Sequence, residues 1–205
     1  MKKLLFLTVC ISSFLLMSCS ETSQPVAKKE PEKPAEPISG QNALFKMYQV
    51  ARVWSGDAQV LKLNSIHNAE VPSVPGKAAA WQATFTSEKM GKARTYTYSV
   101  VEQEGTLHKG AFGIGEEGWS GKSGINSSFD IRAVSTDSDA AYKVALEKAG
   151  DYDTKHPGMT ISFLLEKTTK FSSPVWRVIW GESVGTSNFS VYVDASIGKF
   201  LEKMH

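Results

Sequence analysis

The stretch that decides the fold is Pro174–Leu201, PVWRVIWGESVGTSNFSVYVDASIGKFL, which contains two apolar runs separated by a segment rich in turn residues. Pro174 has no backbone N–H to donate, so it suits the first position of a strand. Successive side chains of a strand point to opposite faces. The first run therefore places three large side chains on one face: Trp176, Val178 and Trp180.

The second run alternates more regularly and predicts an antiparallel strand with one buried face. Its apolar face carries Phe189, Val191 and Val193, and its other face carries Ser190, Tyr192 and Asp194. The segment Gly181–Asn188 is rich in turn-forming residues and joins the two strands. After the second strand the chain turns again, and we expect Gly198 to adopt a positive φ there.

An earlier stretch, Ala79–Leu107, has the same layout at a shift of 95 positions in its first strand and 93 in its second. The corresponding residues are Trp81 and Trp176, Ala83 and Val178, Phe85 and Trp180, Tyr96 and Phe189, Tyr98 and Val191, Val100 and Val193, Gly105 and Gly198, and Leu107 and Phe200. A two-residue change in a connecting loop costs little. The agreement predicts an internal duplication; two unrelated hairpins with ordinary alternation are the alternative.

A helix is predicted before each hairpin. Asn42–Ser55 has apolar residues at helical spacing, with Ala43, Met47, Val50, Ala51 and Trp54 on one face. Ser138–Ala149 is the second helix, for which Thr136 and Asp139 have capping-box spacing and Gly150 provides the end. We expect it to bury Ala141, Val144, Ala145 and Leu146.

Further strands are predicted at Gln59–His67 and Met159–Lys167, and a short one at Thr106–Phe112. The predicted fold class is therefore α+β: two repeated helix–strand–strand–strand units, each a helix packed on a small antiparallel sheet. The units are assigned to residues 41–112 and 136–205, with a glycine-rich connector at 113–135. We expect the two units to pack together.

The N-terminal residues 1–18 have the pattern of a signal peptide, with Lys2 and Lys3 before an apolar run that is short for a membrane span. The run ends in Leu16-Met17-Ser18-Cys19, which resembles the lipobox of bacterial lipoproteins. This resemblance implies that Cys19 becomes a lipidated N-terminus, and Ser20 at the next position favours the outer membrane in a host with two membranes. An ordinary signal peptide and an uncleaved signal anchor are the alternatives.

Residues 19–40 are predicted to be a disordered tether, since they contain four of the eight prolines, mixed charge and few apolar residues. Without Lys2 and Lys3, the 23 basic residues of the chain fall to 21, equal to its 21 acidic residues. Nucleic-acid binding needs a basic face, so this balance argues against it. The expected partners are the membrane, through the lipid, and a peptide or envelope protein.

The second unit resembles PepSY-type modules. The resemblance lies in the helix Asp139–Gly150, the strand Val175–Trp180 and above all the ending VYVDASIGKFL at Val191–Leu201. It covers about residues 137–202, and the first unit matches only in layout. It implies a small helix-on-sheet fold and a non-catalytic role, in a family associated with peptidase propeptides and with tethered binding modules.

The sequence offers few candidates for chemistry. Gly113–Gly118 has GxGxxG spacing, but no helix is predicted to follow it, so a flexible joint is the preferred interpretation. The four histidines are far apart and are expected to be solvated. We therefore assign no catalytic residue, metal site or cofactor.

Phe112 and Trp119 are the candidate ligand-binding residues, because they lie in the glycine-rich segment and are not explained by strand alternation. We expect them to line a groove between the two units. The sequence favours a membrane-anchored binding or regulatory lipoprotein. A structural lipoprotein that binds a partner through a sheet edge is the second hypothesis, and a hydrolase is the third.

Overall fold

The computed structural model describes residues 34–121 and 126–205, which form an α+β fold with one large antiparallel sheet. The helices are α1 (Gly40–Trp54), α2 (Ser138–Ala149) and α3 (Tyr152–Lys155). The strands are β1 (Ile38–Ser39), β2 (Gln59–Ile66), β3 (Lys77–Ala78), β4 (Ala80–Ser87), β5 (Lys92–Ser99), β6 (Gly110–Gly118), β7 (Ile161–Glu166), β8 (Val175–Trp180), β9 (Phe189–Asp194) and β10 (Phe200–Met204). Strands β1 and β3 pair separately as a two-stranded ribbon.

The eight longer strands form a single sheet in the order β10-β9-β8-β7-β2-β4-β5-β6. The two halves of the chain meet at its centre, where β2 pairs with β7 through Lys62–Glu166, Leu63–Leu165 and Asn64–Leu164. Each longer helix is followed by four strands of this sheet, where the sequence predicted three. The additional strands are β6, which is longer than expected, and β10.

Both longer helices pack on the same face of the sheet and share one hydrophobic core. Helix α1 buries Ala43, Leu44, Met47 and Ala51, close to the predicted face, although Val50 is 39% exposed. Helix α2 buries three alanines, Ala141, Ala145 and Ala149. Leu146 was expected in the core but is 37% exposed, because the small alanine face brings α2 against the sheet and turns this leucine outward.

Two tryptophans lie at the centre of this core. Trp81 on β4 and Trp176 on β8 are both fully buried, and their rings meet edge to face with centroids 6.3 Å apart. The indole N–H of Trp81 donates to the carbonyl of Ile38 at 3.0 Å, and that of Trp176 donates to the carbonyl of Thr136 at 2.8 Å. Each acceptor lies two residues before the start of a helix, so each tryptophan holds a helix entry against the sheet.

The first turns of α1 and α2 are joined by hydrogen bonds. The buried hydroxyl of Ser138 accepts from the backbone N–H of Gly40 at 2.7 Å and donates to the carbonyl of Gly76 at 2.6 Å. The carboxylate of Asp137 accepts from the backbone N–H groups of Ser138 and Gln41. A carboxylate is stabilised at a helix N-terminus by the free N–H groups and the helix dipole. Asp137 is thus the N-cap of α2, where the sequence had suggested a capping box from Thr136.

The structure corrects three further predictions. The GxGxxG segment, interpreted as a flexible joint inside a connector at 113–135, is part of strand β6 as far as Gly118, because it pairs along β5. The tether was predicted to reach Gly40, but Ile38 and Ser39 already pair with β3, and Gly40 is buried under Trp176. The second face of β9 was expected to be solvated.

The second face of β9 is instead covered. Ser190, Tyr192 and Asp194 are all at most 8% exposed. Arg177 donates from Nε to the Ser190 hydroxyl, and its guanidinium lies over the Tyr192 ring. Phe171 packs against the same tyrosine. The positive φ predicted for Gly198 is confirmed, and Gly150, which was predicted to end the second helix, follows the last residue of α2 and also has a positive φ.

Predictions on the N-terminal segment, including Cys19, lie outside the described residues. Within residues 34–121 and 126–205, no helix combines the length and apolar character needed to cross a membrane.

Candidate binding site at the sheet edge

Strand β6 forms one edge of the eight-stranded sheet and is nine residues long, with the sequence GAFGIGEEG. Its inner side pairs with β5, and no described residue pairs with its outer side. A methyl group added at Gly115 or Gly118 would meet no atom within 4 Å. Most residues of β6 are exposed, and its outer backbone N–H and C=O groups have no ladder partner among the described residues, so they are available to another chain.

Two large apolar side chains stand on this edge. Phe112 is 47% exposed and Ile114 is 53% exposed. The register shifts between Thr95 and Tyr96, which pair with Gly115 and Gly113, so Ile114 forms a β-bulge with no partner on β5. A bulge interrupts regular pairing. The bulge therefore divides the strand, and the segment from Gly110 to Ile114 is the half that carries both apolar side chains.

Phe112 is oriented by a small polar cluster at the start of β6. The ring of His108 packs on it with centroids 4.4 Å apart, and Nδ1 of His108 lies 2.8 Å from Oε1 of Glu102. Glu102 also accepts a hydrogen bond from the backbone N–H of Lys109. The hydrogen bond from the Lys109 backbone N–H makes the largest contribution to lowering the pKa of the Glu102 carboxyl, and the hydrogen bond with His108 makes the next largest. The exposed phenylalanine is thus held in place.

The other half of β6 is polar and tied to helix α1. Glu116 accepts hydrogen bonds from Lys92 and from the indole of Trp54, and these partners lower the pKa of its carboxyl. Glu117 is exposed beside it. This difference between the halves again leaves the Gly110–Ile114 segment as the apolar part of the edge.

The opposite edge of the sheet has a different character. Strand β10 is only five residues long, with the sequence FLEKM, and Glu202 on it pairs with Lys170. Short and charged strands are common devices against edge-to-edge association. Strand β6 has a stretch without charge from Gly110 to Gly115, and only its C-terminal half carries acidic residues.

The two candidate ligand-binding residues are not brought together. Phe112 lies near the start of β6, and Trp119 follows its end, where its backbone N–H donates to the carbonyl of Gly91. Strands rise about 3.3 Å per residue, so the two residues are roughly 20 Å apart along the edge. Neither lies at the β2–β7 junction, where the two halves of the sheet meet.

Trp119 has one unusual feature, since its indole nitrogen is buried without a hydrogen-bond partner among the described residues.

Ile114 was missed by sequence reasoning, because the glycines on either side of it weaken the sequence signal for a strand. The signal available was an isolated pair of apolar residues, Phe112 and Ile114, among glycines and next to a predicted hairpin.

Features associated with catalysis are scattered. The GxGxxG segment leads out of a strand and does not start a helix, so it lacks the helix N-terminus that binds phosphate. All four histidines are exposed, as expected: His67, His108, His156 and His205. Across residues 34–121 and 126–205, no group of three or more histidine, cysteine or carboxylate side chains is placed to hold a metal ion.

Comparisons with protein-family models, with curated proteins and with solved structures find no match to this chain.

Proposed function

We propose that the chain is a non-catalytic, lipid-anchored envelope protein that binds an extended segment of a partner protein by strand addition to β6. The observation that carries this proposal is the exposed, largely apolar edge segment Gly110–Ile114. In strand addition, main-chain hydrogen bonds supply affinity and side-chain contacts supply specificity. Phe112 and Ile114 are the side chains that would select the partner.

The internal duplication predicted from the sequence belongs to this proposal. Several features support it: each half contains a helix followed by four sheet strands, and the halves are arranged in reverse order about β2 and β7. Trp81 and Trp176 also make equivalent bonds to the carbonyls before α1 and α2. A duplicated, PepSY-like scaffold is consistent with a binding role.

The anchoring half of the proposal rests on the lipobox resemblance at Leu16–Cys19 and on the proline-rich segment that follows. A tether of this composition extends by about 3.1 Å per residue and would hold β6 tens of ångströms from the membrane. Since one acyl chain binds only marginally, stable anchoring requires the two or more chains that lipidation at Cys19 would provide. Cys19→Ser is expected to move the protein from the membrane fraction to the soluble fraction. Unchanged membrane retention of this variant would contradict the anchor.

The edge is tested by site-specific photocrosslinking in cells that express the full chain. A benzophenone side chain replaces Ile114 on β6, or, as the matched control, Ile197, which is 63% exposed in the turn between β9 and β10. We expect a discrete adduct from position 114 and none of the same mass from position 197. The double variant Phe112→Lys and Ile114→Lys should remove binding of the captured protein. Equal adducts from both positions, or none from position 114, would contradict the proposal.

A further inference from the structure

A second site lies on the face of the sheet that carries no helix, four strands away from β6. Here the outward side chains of β7, β8 and β9 line a cavity of about 430 Å³, among them Leu164, Glu166, Arg177 and Tyr192. An adjoining cavity of about 400 Å³ shares Leu164, Glu166 and Val184 with it. Cavities of roughly 300–1,000 Å³ are typical of small-ligand sites.

Arg177 is the cationic group of this cavity. Its Nε donates to the hydroxyl of Ser190 at 2.9 Å, and its guanidinium carbon lies 5.3 Å from the centre of the Tyr192 ring. These two contacts fix the plane of the guanidinium. No carboxylate among the described residues lies within 4 Å of it. A guanidinium held in this way presents its terminal N–H groups as a fork that matches a carboxylate.

Glu166 is the second polar group, and it is only 8% exposed. Its described hydrogen bond comes from Nδ2 of Asn126 at 3.1 Å. Lys62 lies directly opposite on β2, yet the two form no ion pair within 4 Å. A buried carboxyl without a close cation favours its protonated form, and burial raises the pKa of Glu166 accordingly. A protonated carboxyl can donate a hydrogen bond, whereas an ionised one only accepts.

Thr168 adds an independent indication of a ligand. It lines the larger cavity and is 6% exposed, and its buried hydroxyl oxygen has no partner among the described residues. Buried polar groups are almost always hydrogen-bonded, so an orphaned hydroxyl at a cavity wall is a position that a ligand atom would satisfy.

The charged residues that line the two cavities indicate the charge of the ligand. Lys170 pairs with Glu202 at the rim, which removes these two charges from the balance. In the larger cavity, Arg177 then faces one carboxyl, that of Glu166, whose burial disfavours its charged form. The adjoining cavity holds one further charge of each sign, Lys62 and Glu182. Arg177 is therefore the charge in the larger cavity that has no ion-pair partner among the described residues, and most of the wall around it is apolar, including Leu164 and Val184.

We propose that this cavity binds a small carboxylate attached to an apolar group, with the carboxylate on Arg177 and the apolar group against Leu164 and Val184. A peptide C-terminus with an apolar last residue and a short fatty acid share this chemistry. The site uses none of the residues of β6, so it is independent of the strand-addition site.

Titration calorimetry on the detergent-solubilised full chain tests this inference with four probes. N-acetyl-alanyl-leucine represents a peptide C-terminus and hexanoate a fatty acid, and the corresponding amides lack the charge. We expect at least one carboxylate to bind at millimolar concentration or below, and its amide about tenfold more weakly or worse. The stronger of the two carboxylates identifies the source of the ligand.

Two variants locate the binding. Arg177→Gln removes the charge, and Val184→Glu places a negative charge at a rim position that is 41% exposed, where folding should be unaffected. Both are expected to weaken carboxylate binding about tenfold or more, whereas Arg132→Gln, an exposed arginine paired with Asp130, should leave it unchanged. No binding of either carboxylate at 10-millimolar order, equal binding of the amides, or unchanged binding in both cavity variants would overturn the proposal.

Discussion

Removal of the Ser138 hydroxyl should loosen the point where α1, α2 and the segment before β3 meet. Ser138 is fully buried, and its one hydroxyl bonds both the N–H of Gly40 and the carbonyl of Gly76. In Ser138→Ala both backbone groups lose this partner in a place that water does not reach. Each buried group left without a partner costs about 1–3 kcal/mol, so we expect a loss of about 3 kcal/mol in the free energy of unfolding.

Urea unfolding of the full chain, followed by tryptophan fluorescence, measures this loss, because Trp81 and Trp176 are buried in the same core. In a thermal scan the same loss corresponds to a melting temperature lower by about 6–12 °C for a domain of this size. The control is Ser196→Ala, which removes a single bond from a partly buried hydroxyl to the carbonyl of Ala133. We expect a loss near 1 kcal/mol there. If Ser138→Ala costs no more than this control, the proposed junction between the helices is wrong.

Three further predictions concern packing and pH. Gly40→Ala places a methyl 2.6 Å from the Trp176 ring and should lower the free energy of unfolding by about 1–3 kcal/mol. In the control Gly56→Ala the added methyl meets no atom within 4 Å, so the free energy of unfolding should change by less than about 1 kcal/mol. Equal effects of the two substitutions would contradict the tight packing at Gly40. Burial raises the pKa of Glu166 above its usual 4.5, so the contribution of Glu166 to stability is present below pH 4.5 and is lost as the pH rises through the raised pKa. Glu166→Gln should therefore raise the melting temperature at pH 7 but not at pH 4. Hydrogen bonds from Ser55, then from Ser87 and the Lys89 backbone, lower the pKa of Asp57 below 3.8, so the contribution of Asp57 to stability is present above that pH and is lost in acid. Asp57→Asn should therefore lower the melting temperature at pH 7, and the melting temperature of this variant should fall less between pH 4 and pH 2 than that of the unmodified protein. An equal fall in both proteins would argue against these hydrogen bonds.

The hairpins and their core faces were predictable because their periodicity comes from burial on one side of the sheet. Trp81, Trp176, Trp180, Tyr96 and Phe189 lie in the core as their spacing indicated. The helices were also recoverable, since alanines at helical spacing and Gly150 at the end of α2 are local signals. The class of fold, a helical layer on an antiparallel sheet, follows from these elements.

Beyond Phe112, strand β6 was not predictable from its own residues, because four of its nine positions are glycine and glycine has a low strand propensity. Its extended conformation comes from pairing with β5, which is a tertiary effect. The cavity at Arg177 was missed for a related reason. Glu166, Arg177 and Tyr192 come from three strands, and only the strand order places them on one face. The available hint was a polar residue at alternate positions of two otherwise apolar strands.

Amide hydrogen exchange on β6 tests the central claim most directly, because strand addition is a statement about backbone hydrogen bonds. The exchange rates of the Gly110–Ile114 amides are measured in the full chain alone and with the protein captured by the crosslink from position 114. We predict that binding slows their exchange about tenfold or more and leaves β10 unchanged. Binding without any protection in Gly110–Ile114 would mean that the partner contacts side chains only, and the strand-addition account would be wrong.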